Sequence, residues 1–151
     1  MERPEGNDGR DEVARCTEKK AVSAMIFDTE ALIWYFRGNQ KARELISGVS
    51  YRDRQVSSLC VMELVQGCRD RQELREVKDF IRSNIAAVIH PDESISEKAI
   101  ALLEGHASAD GLRTIDALVA ATALREDDTL ATANHKHFKK ISGLEVRKFV
   151  L

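Results

Sequence analysis

Residues 21–29 read AVSAMIFDT, a short apolar run that ends abruptly in an acid and a hydroxyl. The run has the length of one strand, and the change in character at Asp28 marks where that strand ends. An ionised carboxylate left unpaired in apolar surroundings costs several kcal/mol, so other groups must compensate Asp28. The stretch therefore predicts a first buried strand that carries an acid at its carboxyl end.

Outward from this strand, runs of strand length alternate with helical patterns. Because such strands are joined by right-handed crossovers, the alternation predicts a three-layer α/β fold with a parallel sheet of four to five strands. A capping box at 94–97 and the hydroxyl of Thr114 mark two of the helix starts. The predicted strands span 21–27, 55–59, 86–89, 129–132 and 144–149, and the predicted helical segments span 30–37, a short stretch ending at 46, 60–66, 71–82, 94–103, 115–124 and 135–139.

Length and composition indicate one domain behind a polar tail. The chain has 151 residues, of which 43% are hydrophobic and 32% charged, which is typical of a globular domain and excludes intrinsic disorder as a whole. Residues 1–20 are almost all polar, so we expect a disordered tail there and the folded domain at 21–151. No apolar run reaches the roughly 18 residues of a membrane helix. Three cysteines without a paired spacing fit a reducing compartment, and we expect a cytoplasmic protein.

Three acids interrupt apolar segments near predicted strand ends: Asp28, Glu63 and Asp116. Each has an ordinary explanation by itself, as a helix cap, a solvent-facing glutamate and a first-turn acid. However, no lysine or arginine lies four residues from Glu63, and Asp116 is the only charged residue between Arg113 and Arg125. Ligands of open parallel sheets bind beyond the carboxyl ends of the strands, so we expect the three acids to share one site.

Three carboxylates brought together would repel one another unless a cation intervened. Ligation by oxygen alone suits Mg²⁺ or Mn²⁺ rather than zinc, and Mg²⁺ usually keeps several waters and bridges to substrate phosphates. A water held by such an ion can attack phosphorus while the ion neutralises the developing charge. The acids therefore predict phosphodiester hydrolysis, although the net charge of −2 gives no general attraction to nucleic acid.

Four blocks of sequence follow one another in a fixed order. They are IFDT at 26–29 followed by LIWYFRG at 32–38, SS at 57–58 with EL at 63–64 and Gly67, DALVAATA at 116–123, and LATAN at 130–134 with KHF at 136–138. This ordered set, which is much more specific than any single block, resembles the PIN domain and, within it, the VapC toxins. The resemblance covers roughly residues 24–148.

The resemblance implies a magnesium- or manganese-dependent endoribonuclease that a VapB-like antitoxin holds inactive and that forms homodimers. In this resemblance Asp28, Glu63 and Asp116 match the acidic metal ligands. The fourth acidic position falls on Asn134, and His137 stands where other members have an aspartate. An asparagine can hold a metal-bound water through its carbonyl but adds no charge, so one metal ion is expected rather than two.

Further residues support this implied site. The hydroxyls of Thr29 and Thr132 are placed to orient the ligands or the water, although ordinary caps look the same in sequence. For RNA, the resemblance suggests a basic rim around the acidic pocket. Its candidates are Arg37, Lys136, Lys139 and Lys140.

The sequence also allows other functions. The main alternative is a PIN-like module that binds RNA or a protein without cutting, because Asn134 weakens the metal site. Metal-independent cleavage by His135 and His137 is disfavoured, since residues two apart do not share a helix face. The amphipathic helix at 71–82 and the apolar residues around Trp34 also allow a surface for a second copy or an antitoxin helix.

Overall fold

A computed structural model describes residues 24–149 as five parallel strands covered by helices. The strand order is β3-β2-β1-β4-β5, so β1 lies at the centre of the sheet. All four pairings are parallel, which requires a crossover between consecutive strands. The strands are β1 (Met25–Phe27), β2 (Arg54–Ser57), β3 (Ala87–Ile89), β4 (Thr129–Thr132) and β5 (Val146–Lys148).

Seven α-helices connect these strands within the described range. The chain moves from β1 to β2 and β3 in one direction and then returns to β4 and β5 in the other, so right-handed crossovers place helices on both faces. This is the predicted three-layer α/β/α architecture with a parallel sheet. The helices are α1 (Thr29–Phe36), α2 (Gln40–Ser47), α3 (Ser58–Gln66), α4 (Arg71–Asn84), α5 (Glu93–Asp110), α6 (Thr114–Glu126) and α7 (His135–Phe138).

The reversal of strand order creates a crevice between β1 and β4. Phe27 lies opposite Ala131 in the register, and the amide of Asp28 donates a hydrogen bond to the carbonyl of Ala131 at 2.9 Å. The first residues beyond both strands therefore lie side by side. In open α/β sheets such a switch point is where ligands bind.

The second predicted strand is too long at its carboxyl end. It stops at Ser57, whose hydroxyl accepts a hydrogen bond from the amide of Leu59 at 3.2 Å and so caps α3. Ser58 and Leu59, predicted as strand, are the first two residues of that helix. A serine that caps a helix reads locally like a polar strand residue, which is why the pattern misplaced the boundary.

Two predicted helix starts are also corrected. The capping box at 94–97 does not begin α5, because Asp92 is the N-cap and its carboxylate accepts from the amide of Ile95 at 2.9 Å. That helix continues to Asp110, seven residues beyond the predicted end, and Gly111 stops it with a φ of +71°. Thr114 does not cap α6 but is its first residue.

Two predicted segments lie outside the residues that the structure describes. The predicted tail at 1–20 and the start of the first predicted strand, 21–23, fall outside residues 24–149. Among the described helices, none has both the length and the apolar character needed to cross a bilayer.

The short helix α7 is held to the body of the domain by Phe138, whose side chain is fully buried. We expect Phe138→Ala to lower the free energy of unfolding by about 3–5 kcal/mol, because it removes a buried ring and leaves a cavity. Ile100→Ala is the matched control, since Ile100 is 56% exposed and its loss should change stability by less than about 0.5 kcal/mol. Urea unfolding measures both. Equal effects of the two changes would contradict the packing described.

Candidate active site

The carboxylate of Asp28 lies almost completely buried at the carboxyl end of β1. One oxygen, Oδ1, accepts a hydrogen bond from the amide of Thr29 at 2.9 Å, so Asp28 is also the N-cap of α1. The other oxygen, Oδ2, accepts from the hydroxyl of Thr132 at 2.8 Å, across the crevice on β4. The helix-cap explanation of this acid is therefore correct, but it accounts for only one of the two oxygens.

The surroundings of Asp28 raise its pKa from the ordinary 3.8 to about 6. Burial is the main cause, because a desolvated carboxylate is disfavoured in its charged form. The hydrogen bonds from Thr132 and Thr29 oppose that effect, whereas the negative charges of Asp116 and Glu30 add to it. A cation bound beside Asp28 would favour its ionised form and lower this pKa.

Glu63 joins the site from α3 through a side-chain hydrogen bond. The hydroxyl of Thr29 donates to Oε1 of Glu63 at 2.7 Å, which connects α3 to the first residue of α1. The thiol of Cys60 is buried on the same helix, and burial followed by the charge of Asp28 raises its pKa to about 12. Cys60 is thus a neutral neighbour of the acids rather than a nucleophile.

Asp116 approaches the site from the first turn of α6. Its Oδ2 accepts a weak hydrogen bond from the amide of Arg113 at 3.4 Å, at the start of the helix. The same oxygen lies 3.3 Å from Nδ1 of His137. Because its charge contributes to the raised pKa of Asp28, the two carboxylates lie within electrostatic reach of each other. The first-turn explanation therefore holds, and it does not separate Asp116 from the site.

Asn134 lies two residues beyond the end of β4 and is the residue before α7. Its amide donates to the hydroxyl oxygen of Thr132 at 3.0 Å, and that hydroxyl in turn donates to Asp28. Its side chain makes no capping hydrogen bond to α7. Thr132 therefore orients Asp28, while the Asn134 backbone orients Thr132.

The donor chemistry of these residues fits a hard divalent ion, since carboxylate and amide oxygens are what Mg²⁺ and Mn²⁺ take. Within residues 24–149, no three acidic, histidine or cysteine side chains converge closely enough to hold one ion together. Mg²⁺ commonly takes only one or two carboxylates and completes its shell with water and substrate phosphate. The arrangement fits such a partly hydrated ion and does not fit a closed all-protein cage.

The predicted basic residues occupy different surroundings. Lys136 and Lys139 are exposed on and just after α7. The guanidinium of Arg37 lies 5.1 Å from the ring centre of Trp34 and borders the groove beside Glu63. Lys140 contacts Asp110, with its Nζ 3.3 Å from Oδ1. Sequence alone could not have paired these two groups, which are thirty residues apart.

A groove opens beside Glu63 between α1, α3 and α4. It has a volume of about 520 Å³, and its walls combine apolar side chains with charges of both signs. Ile33, Leu64 and Val77 supply apolar surface, whereas Arg37 and Glu63 supply charges of opposite sign. The site is thus continuous with a surface large enough for an extended ligand.

Two contacts were not anticipated from the residue pattern. His137 meets Asp116, and His106 meets Asp110 at 2.8 Å between Nδ1 and Oδ2. The second contact has a sequence signal in its i,i+4 spacing on one helix. The first has none, because it joins α7 to the start of α6.

Comparison with known families identifies one match. The model of the PIN domain matches residues 25–144, which is most of the chain and includes all the candidate site residues. A search among curated proteins finds no match.

Solved structures share the same architecture. A toxin-antitoxin complex from Klebsiella pneumoniae contains a chain that is 25% identical, with a TM-score of 0.71 over 83% of this chain and 98% of that one. VapBC from Salmonella typhimurium, bound to DNA, matches at 19% identity and a TM-score of 0.69, over 83% of this chain and 98% of that one. FitAcB from Neisseria gonorrhoeae matches at 19% identity and a TM-score of 0.65, over 81% of this chain and 95% of that one. The last two show likeness of fold alone.

Removing the hydroxyl of Thr132 should raise the pKa of Asp28 further above its ordinary value. Thr132→Val keeps the shape but deletes the hydrogen bond that stabilises the charged form. Thr122→Val is the matched control, because Thr122 is equally buried but its hydroxyl donates to the Leu118 carbonyl within α6. Carbon-13 NMR titration of Asp28 measures the effect, and a pKa that stays the same in Thr132→Val would contradict it.

The raised pKa of Asp28 also predicts a pH-dependent stability without metal. Because the folded state binds this proton more tightly than the unfolded chain, its contribution is fully present below pH 3.8 and is lost as pH rises through about 6. The difference corresponds to about 3 kcal/mol. In chelator, Asp28→Asn should therefore stabilise the protein by up to about 3 kcal/mol at pH 8 and have little effect at pH 4.

Urea unfolding at the two pH values measures this change. Asp79→Asn is the control, since the side chain of Asp79 is 71% exposed on α4 and should show no such pH dependence. A destabilised Asp28→Asn at pH 8 would mean that the charged form of Asp28 is favoured by the fold.

Proposed function

The chain belongs to the PIN-domain family, and we propose that it is a metal-dependent endoribonuclease of the VapC toxin type. The observation that carries the proposal is that acids from three different elements are linked to the carboxyl end of β1. The charge of Asp116, in the first turn of α6, acts on Asp28, and Glu63 on α3 accepts a hydrogen bond from Thr29, the residue after Asp28. The similarity to a chain of a toxin-antitoxin complex at 25% identity supports the same assignment.

Mg²⁺ or Mn²⁺ is the proposed cofactor, with Asp28, Asp116 and Glu63 as its candidate holders. When bound, the ion would supply a nucleophilic water at neutral pH and neutralise charge on the phosphate. The raised pKa of Asp28 supports a cation at this place, because a cation would favour the ionised carboxylate. Asn134, with a neutral side chain, adds no fourth charge, which supports a single ion.

The protein side chains have separate roles in this proposal. Asp28 would bind the ion. Thr132 orients Asp28, because its hydroxyl donates a hydrogen bond to one carboxylate oxygen at 2.8 Å. Glu63 is oriented by Thr29 and faces the groove, where it is placed to accept a proton from an attacking water. Asn134 is placed to hold water through its side-chain carbonyl. Thr29 and Thr132 are positioning residues, since each acts through an acid.

RNA is the proposed substrate, and local basic groups must attract it because the chain has a net charge of −2. Lys136 and Lys139 are exposed on and just after α7, the helix whose His137 contacts Asp116. Arg37 lines the groove and lies over Trp34, a pairing that can receive a base as well as a phosphate. Lys140 is the weakest candidate, because Asp110 already neutralises it.

A VapB-like antitoxin is the proposed protein partner. The matched Klebsiella pneumoniae chain comes from a toxin-antitoxin complex, and the groove beside Glu63 has apolar walls that suit a protein segment. A second copy of the chain is the other proposed partner. Met62 and Val65 support it, since they are 60% and 41% exposed and lie one turn apart on α3.

A PIN module that binds without cutting is the second candidate. Two observations favour it: a neutral Asn134, and the lack of any three ligands converging within residues 24–149. Such a module would bind RNA or protein through the same groove and basic residues. Only an assay of cleavage separates it from the nuclease.

The purified protein should cut RNA in Mg²⁺ or Mn²⁺ and lose this activity in chelator. Asp116→Asn should lower the cleavage rate by about 100-fold or more, because changes in even the outer shell of a metal site reduce activity 10- to 100-fold. Gel analysis of a total RNA pool measures both effects. Asp79→Asn, on the exposed face of α4, is the control that should cut normally.

Two outcomes would oppose the nuclease. Cleavage that persists in chelator and in Asp116→Asn would mean that a contaminant or another mechanism cuts the RNA. Folded protein that binds RNA but does not cut it in either metal would establish the binding module.

A further inference from the structure

The side chain of His137 contacts Asp116, one of the candidate metal ligands. Its Nδ1 lies 3.3 Å from Oδ2 of Asp116, and the imidazole is only one-third exposed. The two residues come from elements that are 21 positions apart in sequence, so the contact is made by the fold and not by helix periodicity. The function proposed above assigns no task to this side chain.

The backbone around His137 is fixed at two points. Its neighbour Phe138 is fully buried in the core, and Lys140 pairs with Asp110 at the end of α5. The imidazole also packs near Gly111, because a Cβ built on that glycine would lie 3.8 Å from its Nε2. The ring is therefore held against the α5–α6 corner rather than left free in solvent.

The separation of the two side chains matches that of neighbouring ligands on one ion. Two atoms that each lie about 2.1 Å from an octahedral ion, at right angles, are about 3.0 Å apart. The observed 3.3 Å between Nδ1 and Oδ2 is close to this value. A hydrogen bond between the same atoms is the competing explanation, since a carboxylate often orients a histidine.

We propose that His137 is a nitrogen ligand, together with Asp116, of the divalent ion that serves the proposed nuclease site. The inference rests on that proposed function, because it concerns the same ion. Asp116 and His137 would contact the ion directly, and Asp28 and Glu63 would hold it through bound water, because no three acidic, histidine or cysteine groups converge in the described part of the chain. Water and substrate phosphate would complete the shell.

A nitrogen ligand changes which metal the site prefers. Imidazole suits Mn²⁺, Co²⁺ and Ni²⁺ better than it suits Mg²⁺, and affinity along the first-row series rises from Mn²⁺ to Ni²⁺. The site should therefore bind Co²⁺ and Mn²⁺ more tightly than Mg²⁺. This chain would then work best with a transition metal, unlike a site built only from carboxylates.

The test measures metal binding on the full-length protein without RNA, so it is independent of cleavage. Calorimetry gives the affinities for Mg²⁺, Mn²⁺ and Co²⁺, and pulsed EPR of bound Mn²⁺ detects a directly bonded nitrogen. The variants are His137→Phe, which removes both nitrogens, and His137→Asp, which restores an oxygen donor. His135→Phe, two residues earlier in α7, is the matched control.

Native protein and His135→Phe should show the nitrogen coupling, and His137→Phe should not. His137→Phe should lose at least about 10-fold in Co²⁺ affinity and much less in Mg²⁺ affinity. His137→Asp, which also guards against a folding defect in the first variant, should bind Mg²⁺ at least as well as native protein.

Three results would overturn the inference. The first is Mn²⁺ bound without a nitrogen coupling in native protein, and the second is an equal loss for all three metals in His137→Phe. The third is no binding of any divalent ion. After either of the first two results, RNA cleavage by the native protein would still support the proposed nuclease. Only the assignment of His137 as a metal ligand would then be wrong.

Discussion

The carboxylate of Asp28 lies out of water at the centre of the sheet, with one oxygen on the amide that begins α1 and the other on the hydroxyl of Thr132. These two hydrogen bonds do not fully offset the loss of hydration, because the pKa of Asp28 remains raised to about 6. The fold thus spends stability to keep an acid where β1 and β4 diverge. Such a local cost is typical of a binding site and has no use in a purely structural cap.

The rest of the site depends on how the other elements reach that carboxylate. Glu63 is connected through the hydroxyl of Thr29, and Asp116 acts through its charge from the first turn of α6. Within residues 24–149, however, no three acidic, histidine or cysteine side chains converge on one point where an ion could bind. A partly hydrated ion reconciles these two facts, since water can complete its shell. Phosphodiester hydrolysis needs such a water.

Much of the fold could be predicted from the sequence because the chain alternates cleanly between apolar runs and amphipathic segments. The acid after β1 could be found for the same reason, since it interrupts an apolar pattern. Helix boundaries were less accessible. Ser57 and Asp92 cap helices through side-chain hydrogen bonds, and the capping-box pattern at 94–97 points to the wrong residue. The length of α5 depends on Gly111, whose left-handed backbone is visible only in the structure.

The interactions within the site were harder to predict than its members. Asp28, Glu63 and Asp116 could be chosen by their apolar surroundings, and a family resemblance added Asn134. The contact of His137 with Asp116 and that of Lys140 with Asp110 join distant segments, so no local pattern announces them. Tertiary packing, which seats Phe138 in the core, decides both. The contacts of such charged residues therefore could not be predicted before the fold was known.

In the proposed site, a divalent ion would resolve the electrostatic conflict at Asp28. The pKa of the Asp28 carboxyl, measured by carbon-13 NMR in chelator and then in saturating Mg²⁺, tests this claim. We predict a value near 6 in chelator and a large decrease, to below the ordinary value of 3.8, when the ion is bound. A pKa that is the same in both conditions would contradict the claim, because it would show that no cation binds where this acid is buried.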